Sequence, residues 1–175
     1  MTTMTLPDQV IPLPADPRLA HALVAAVEDA LTMCNARAKL VGINCVPIFE
    51  AGAITGVIGL HGKATGFLTF NTCEQVAIAL TSGFLQEPVS GINGQVVDTV
   101  GELTNLIAGG LKKRVSDTPW GIQSVTVPSV IVGHNYQIVY ARGITYLSAT
   151  FEHENPEAFL LDQRLLQAAV SLLRV

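Results

Sequence analysis

The chain has little charge. Asp, Glu, Lys and Arg make up only 14% of its 175 residues, while 49% are hydrophobic. Disordered chains show the reverse balance, so most of this one must pack. Basic residues are the scarcer sign, ten against fourteen acidic, for a net charge of −4. A nucleic-acid surface needs a clustered excess of Lys and Arg, so nucleic acid is not expected as a partner. The one tight basic run, Lys112-Lys113-Arg114, falls where a helix should end. There, cations meet the negative end of the helix dipole, which is an ordinary structural role.

Cysteine is sparse as well. Cys34, Cys45 and Cys73 are odd in number and widely spaced, with no CxxC or Cys/His pattern. Neither a disulfide framework nor a zinc site is expected, and the three are expected to be small buried thiols. The opening MTTMTLPDQVIPLP lacks the basic start and apolar stretch of a signal peptide. No uninterrupted apolar run reaches the length of a membrane span. A cytoplasmic location without membrane contact is the expectation. GLHGKATG has glycines and a Lys but not the GxxxxGK[ST] spacing of a phosphate-binding loop.

What is present reads as one domain over 16–175, preceded by a proline-dotted extended arm over 1–15. Asp16 suits an N-cap and Pro17 the first helical position, and the stripe Leu19, Leu23, Val27, Ala30, Cys34 carries a first helix to about Arg37. A strand is expected over 45–50. Apolar runs over 53–60 and 64–70, joined by His61-Gly62-Lys63, predict a β-hairpin. Thr72 with Gln75 forms a capping-box pattern before a short helix over 73–86. After the breakers Pro88, Gly91 and Gly94, Asn93 caps a longer helix over 94–115. Strands are expected near 121–132, 136–142 and 144–152, with turns at Gly133-His134-Asn135 and Arg142-Gly143. A last helix over 156–174 is expected from Phe159, Leu160, Leu165, Leu166, Ala169, Leu172 and Leu173. Strands and helices do not alternate one for one, so the fold class is α+β: helices layered on a largely antiparallel β-sheet.

The segment GQVVDTVGELTNLIAGGLKKRVS over 94–116 carries the functional signal. At 100° per residue, Val96, Val100, Leu103, Ile107, Leu111 and the stem of Arg114 gather on a buried face. The opposite side holds Asp98, Gly101, Glu102, Asn105, Gly109 and Lys112. Glu102 and Asn105, three apart, project from one patch. Each interior glycine costs about 1 kcal/mol of helix propensity relative to Ala, yet it clears bulk for a close approach. An acid and an amide at this spacing on a wetted face ordinarily only meet water. The same spacing recurs at Glu152 and Asn155, a decoy that straddles a strand end and the start of a helix. His61 and His134 sit in glycine-flanked turns, His21 lies off the helix stripe, and His153 is expected among exposed charges at a strand end. Trp120 is expected to pack.

The run DTVGELTNLIAGGLK, Asp98 to Lys112, resembles the signature of the CheC/CheX/FliY response-regulator phosphatases. ITGVIGLHGKATGFLTF, the short helix with Ala77, and SVTVPSVIVG resemble further segments of that family in the same order, so the likeness spans roughly 15–152. A single Glu-x-x-Asn helix is similar to the CheX arrangement. The resemblance implies a CheC/CheX-like fold and an enzyme, a protein-aspartyl-phosphate phosphatase acting on a phosphorylated CheY-like receiver domain in chemotaxis or related two-component signalling. It implies no cofactor of the chain's own, with Mg2+ held by the receiver. Asn105 would orient the attacking water, Glu102 would pair with a receiver lysine, and Asp98, Gly101, Gly109 and Lys112 would form the docking surface. The alternatives are a non-catalytic binding module for a phosphorylated receiver or flagellar-switch component, and a structural domain in a larger assembly. The last helix stands as an addition or a subunit contact, and monomer and homodimer both remain open.

Overall fold

The computed structural model describes residues 15–47, 52–134, 136–154 and 160–175. The expected arm, apart from Ala15, lies outside the described residues. Helix α1 (Pro17–Met33) opens as its sequence dictates, with the Asp16 carboxylate accepting from the Arg18 N–H at 2.9 Å and Pro17 in the first turn. It ends four residues before Arg37, because Asn35 takes a left-handed φ of 49° and turns the chain out. Strand β1 (Ala38–Asn44) follows at once, so the strand expected over 45–50 lies earlier. Of that expected span, 48–50 fall outside the described residues.

Strands β2 (Ile54–Gly62) and β3 (Ala64–Thr72) form the expected hairpin, paired from Ile54↔Thr72 to Leu60↔Gly66. Helix α2 (Glu74–Leu85) is capped differently from expectation. Thr72 ends β3, and the N-cap is Cys73, which makes no side-chain cap bond. Helix α3 (Gly94–Val115) matches its expected bounds, and Asn93 Oδ1 accepts from the Val96 N–H at 3.1 Å.

The strand expected over 121–132 is two, β4 (Ile122–Val125) and β5 (Ser129–Val132), interrupted at Thr126-Val127-Pro128. Both pair with the outer edge of β2, and Thr126 pins the interruption by exchanging hydrogen bonds with Gly59. The expected strand over 136–142 forms no ladder. Tyr140 of that segment instead rests its ring on Phe67 and Tyr146. Strand β6 (Thr145–His153) and, after a single 3-10 turn (Leu161–Gln163), β7 (Leu165–Arg174) complete the described elements.

Strand β7 corrects the largest expectation. Residues 165–174 are no helix, and 156–159 lie outside the described residues. The strand is hydrogen-bonded on both sides, to β6 and to β3, in the antiparallel order β1-β6-β7-β3-β2-β4. Leu166 through Leu172 are buried without a break, as a strand covered on both faces requires. The leucines and alanines there favour a helix in isolation, and pairing with two partner strands overrides that preference.

The helices lie on one face of the sheet, with α3 against α1, α2 and β2. Phe70, Phe151, Leu19, Leu23, Ile58 and Leu103 are among the largest fully buried side chains between the layers. Two contacts fix the seating of α3. A Cβ on Gly56 would collide with Thr104 Oγ1, so β2 and α3 touch where the glycine leaves room, and Gly110 brings its backbone close to Ala26 of α1. Trp120 packs as expected, buried, donating to Asp16 at 3.1 Å and covered by the Arg174 guanidinium. His153 departs from expectation: it is 9% exposed, and burial lowers its pKa.

Candidate functional site on helix α3

Helix α3 has room for a site because its core-facing side is complete. Val96, Val100, Leu103, Ile107 and Leu111 are fully or almost fully buried, as the wheel requires. Arg114 departs from it: its guanidinium reaches out to Asp29 of α1 at 2.6 Å and to the Gly110 carbonyl at 3.1 Å. The side away from the core holds Asp98 and Glu102, both exposed, and Asn105, which is half-buried. Glu102 and Asn105 therefore leave the same stretch of helix on the same side.

The glycines divide. Gly109 is in the open, and a Cβ there would meet nothing within 4 Å. Gly101, expected to face outward, is buried beneath β5, where a Cβ would sit 3.5 Å from Val130 Cγ2. The wheel gave its angle correctly but could not see that β5 crosses there. Lys112 is half-buried and lines neither of the hollows described next.

Two clefts flank the pair. The first, about 600 Å3, runs between α3 and the Thr126–Pro128 interruption, and Asp98, Glu102 and Asn105 line it opposite Val127. Val127 is 85% exposed at the rim. The second, about 690 Å3, lies between α3 and α1 and is lined by Asn105, Gly109, Lys113, Arg114 and Asp29. Asn105 belongs to both. Sequence reasoning missed two participants, the Thr126–Pro128 wall and Lys113. The wheel angle could not have separated Lys113 from Lys112, since both lie about 50° from the line through Asp98, Glu102, Asn105 and Gly109. Of the second acid–amide pair, Glu152 leaves a strand and pairs with Arg164 at 3.2 Å, and Asn155 lies outside the described residues.

Chemically, the site offers carboxylates that accept hydrogen bonds and an amide that both donates and accepts, with open space on either side. Among the described residues no group of three or more His, Cys, Asp or Glu is placed to hold a metal ion. No helix among them is long and apolar enough to cross a membrane.

Among the described residues, three helices on one face of an antiparallel sheet, with a polar stripe turned outward on the longest, define an α+β domain of the CheC/CheX-like class. The model of the family described as "Chemotaxis phosphatase CheX" matches residues 54–152, more than half of the chain, and the chain belongs to that family. Solved structures agree on the fold. A CheC-like superfamily protein from Shewanella sp. PV-4 aligns at TM-score 0.77 and 22% identity, covering 91% of this chain and 99% of that one. Chemotaxis protein CheX from Vibrio vulnificus aligns at 0.77 and 20%, covering 89% and 99%. The CheX–CheY–BeF3–Mg2+ complex from Borrelia burgdorferi aligns at 0.68 and 17%, covering 89% and 96%. No curated protein sequence matches the chain.

Proposed function

We propose that this protein hydrolyses the aspartyl phosphate of a CheY-like receiver domain. The observation that carries the reading is the outward pairing of Glu102 and Asn105 beside two open clefts, in a chain of the chemotaxis phosphatase family. The similar complex from Borrelia burgdorferi joins a CheX to a CheY with BeF3 and Mg2+, which supports a receiver as partner and Mg2+ as an ion the receiver brings.

Hydrolysis of an acyl phosphate breaks the bond between phosphorus and the aspartate oxygen while water oxygen bonds to phosphorus from the opposite side. The products are a free carboxylate and inorganic phosphate. Such a reaction needs in-line positioning and charge stabilisation more than a covalent intermediate. Asn105 suits the first need, since its Oδ1 can accept from the attacking water while its Nδ2 donates to a phosphoryl oxygen. Glu102, one turn away, suits docking onto a cation of the receiver. General base chemistry is not assigned to it.

The test measures phosphate release from a CheY-type receiver charged with acetyl phosphate and Mg2+. Asn105→Ala should abolish turnover while leaving binding to the BeF3-charged receiver within a few-fold, because the amide acts chiefly in the transition state. Glu102→Ala should weaken both. An Asn105→Ala protein that turns over normally refutes the role given to Asn105, and a wild-type protein that binds the charged receiver without releasing phosphate identifies a binding module instead.

A further inference from the structure

The acid–amide pair uses one end of the stripe on α3, and the other end remains unassigned. Lys113 stands there, exposed, one turn beyond Gly109. Of the three basic residues in the last turn, Arg114 is engaged with Asp29, and Lys112 is half-buried and outside both clefts. Lys113 lines the second cleft together with Asn105, and among the described residues no carboxylate forms an ion pair with it. A helix rises about 1.5 Å per residue, so Lys113 lies about 12 Å along the axis from Asn105 and about 22 Å from Asp98. The outward stripe is thus acidic at Asp98 and Glu102, neutral at Asn105, bare at Gly109 and cationic at Lys113.

This polarity matches what a phosphorylated receiver must carry, and the argument rests on the proposed function. Mg2+ is a hard ion held by carboxylate and phosphoryl oxygens, so the rim of a Mg2+-loaded aspartyl phosphate site is acidic. We infer that Lys113 is a second docking contact of the same site, an ammonium that meets an acidic patch on the receiver while Glu102 meets a cation, so that α3 binds in one direction only. Gly109 lets the receiver's backbone settle between the two contacts. Opposite charges at the two ends also penalise the reversed orientation, because like charges would then face each other. Placing cations at a helix C-terminus for its dipole explains why a basic turn stands there. It does not require the middle cation to be unpaired and on the wall of the cleft that Asn105 also lines.

The experiment compares steady-state dephosphorylation of the CheY-type receiver by the full chain and its variants from about 0.05 to about 0.5 M salt, over which the Debye length falls from about 14 to about 4 Å. Lys113→Glu should raise KM about tenfold at low salt with kcat held, Lys113→Ala about threefold, and Lys113→Arg should match the wild type. The differences should shrink as salt rises. Lys39→Glu on edge strand β1, away from α3, is the control and should leave KM within twofold. An unchanged KM for Lys113→Glu at low salt overturns the inference and leaves the phosphatase reading standing. Equal losses in Lys39→Glu and Lys113→Glu also overturn it, since general charge would then be the cause. No phosphate release by the wild-type chain removes the underlying reading instead.

Discussion

Gly109 sets stability and activity against each other. It stands inside α3, and a Cβ there would meet no atom within 4 Å. Gly109→Ala therefore brings the gain in helix propensity, about 1 kcal/mol, with no clash to offset it. For a chain of this size that raises Tm by about 2–4 °C. Gly109→Leu should keep most of the gain, because leucine ranks close to alanine in helices. Docking should respond the other way. If a receiver's backbone settles over Gly109, an isobutyl group must be accommodated at a close contact, at about 1–3 kcal/mol. That corresponds to a fall in kcat/KM of about fivefold to 150-fold. The assay pairs a thermal melt with phosphate release from a charged receiver for the wild type, Gly109→Ala and Gly109→Leu. A leucine variant that melts higher and retains kcat/KM within twofold would refute the close approach. One that melts lower would refute the open placement of the glycine.

Two further outcomes concern the fold. Burial holds the pKa of His153 below its ordinary value, so below about pH 6.5 the unfolded chain takes up a proton that the folded chain refuses. Stability should be level above that pH and fall below it, by at most about 1.4 kcal/mol per pH unit, and urea melts between pH 7.5 and 5 should lose this component in His153→Gln. Asp16 is held low chiefly by Arg18, so its contribution is lost only in stronger acid and does not overlap that window. Deleting residues 165–175 should abolish folding, read by circular dichroism and size exclusion, because β7 joins β6 to β3. A folded product with an unchanged Tm would contradict the central placement of that strand.

Local signals were legible where the chain answers to itself. The Asn93 cap and the five-residue apolar stripe of α3 fix that helix without outside help, and the hairpin of β2 and β3 announces itself by paired runs and a glycine turn. Glu102 and Asn105 could be placed outward for the same reason. The largest misses depend on remote partners. β7 has helical composition and becomes a strand only between two others. Gly101 is covered by a strand nearly thirty residues later in sequence, and the Thr126–Pro128 wall exists because Pro128 cannot donate to the ladder on β2. Lys112 and Lys113 lie about equally far from the stripe by angle, and only the placement of the second cleft separates them.

The central position of β7 bears on how the protein is made. It is the last of the described strands to be synthesised, yet its two neighbours have no other partner between them. Until it arrives, β3 and β6 each present a row of unpaired backbone groups, the kind of edge that recruits strands from other chains. The nascent molecule thus passes through a vulnerable interval that ends only when its closing strand slots into the gap.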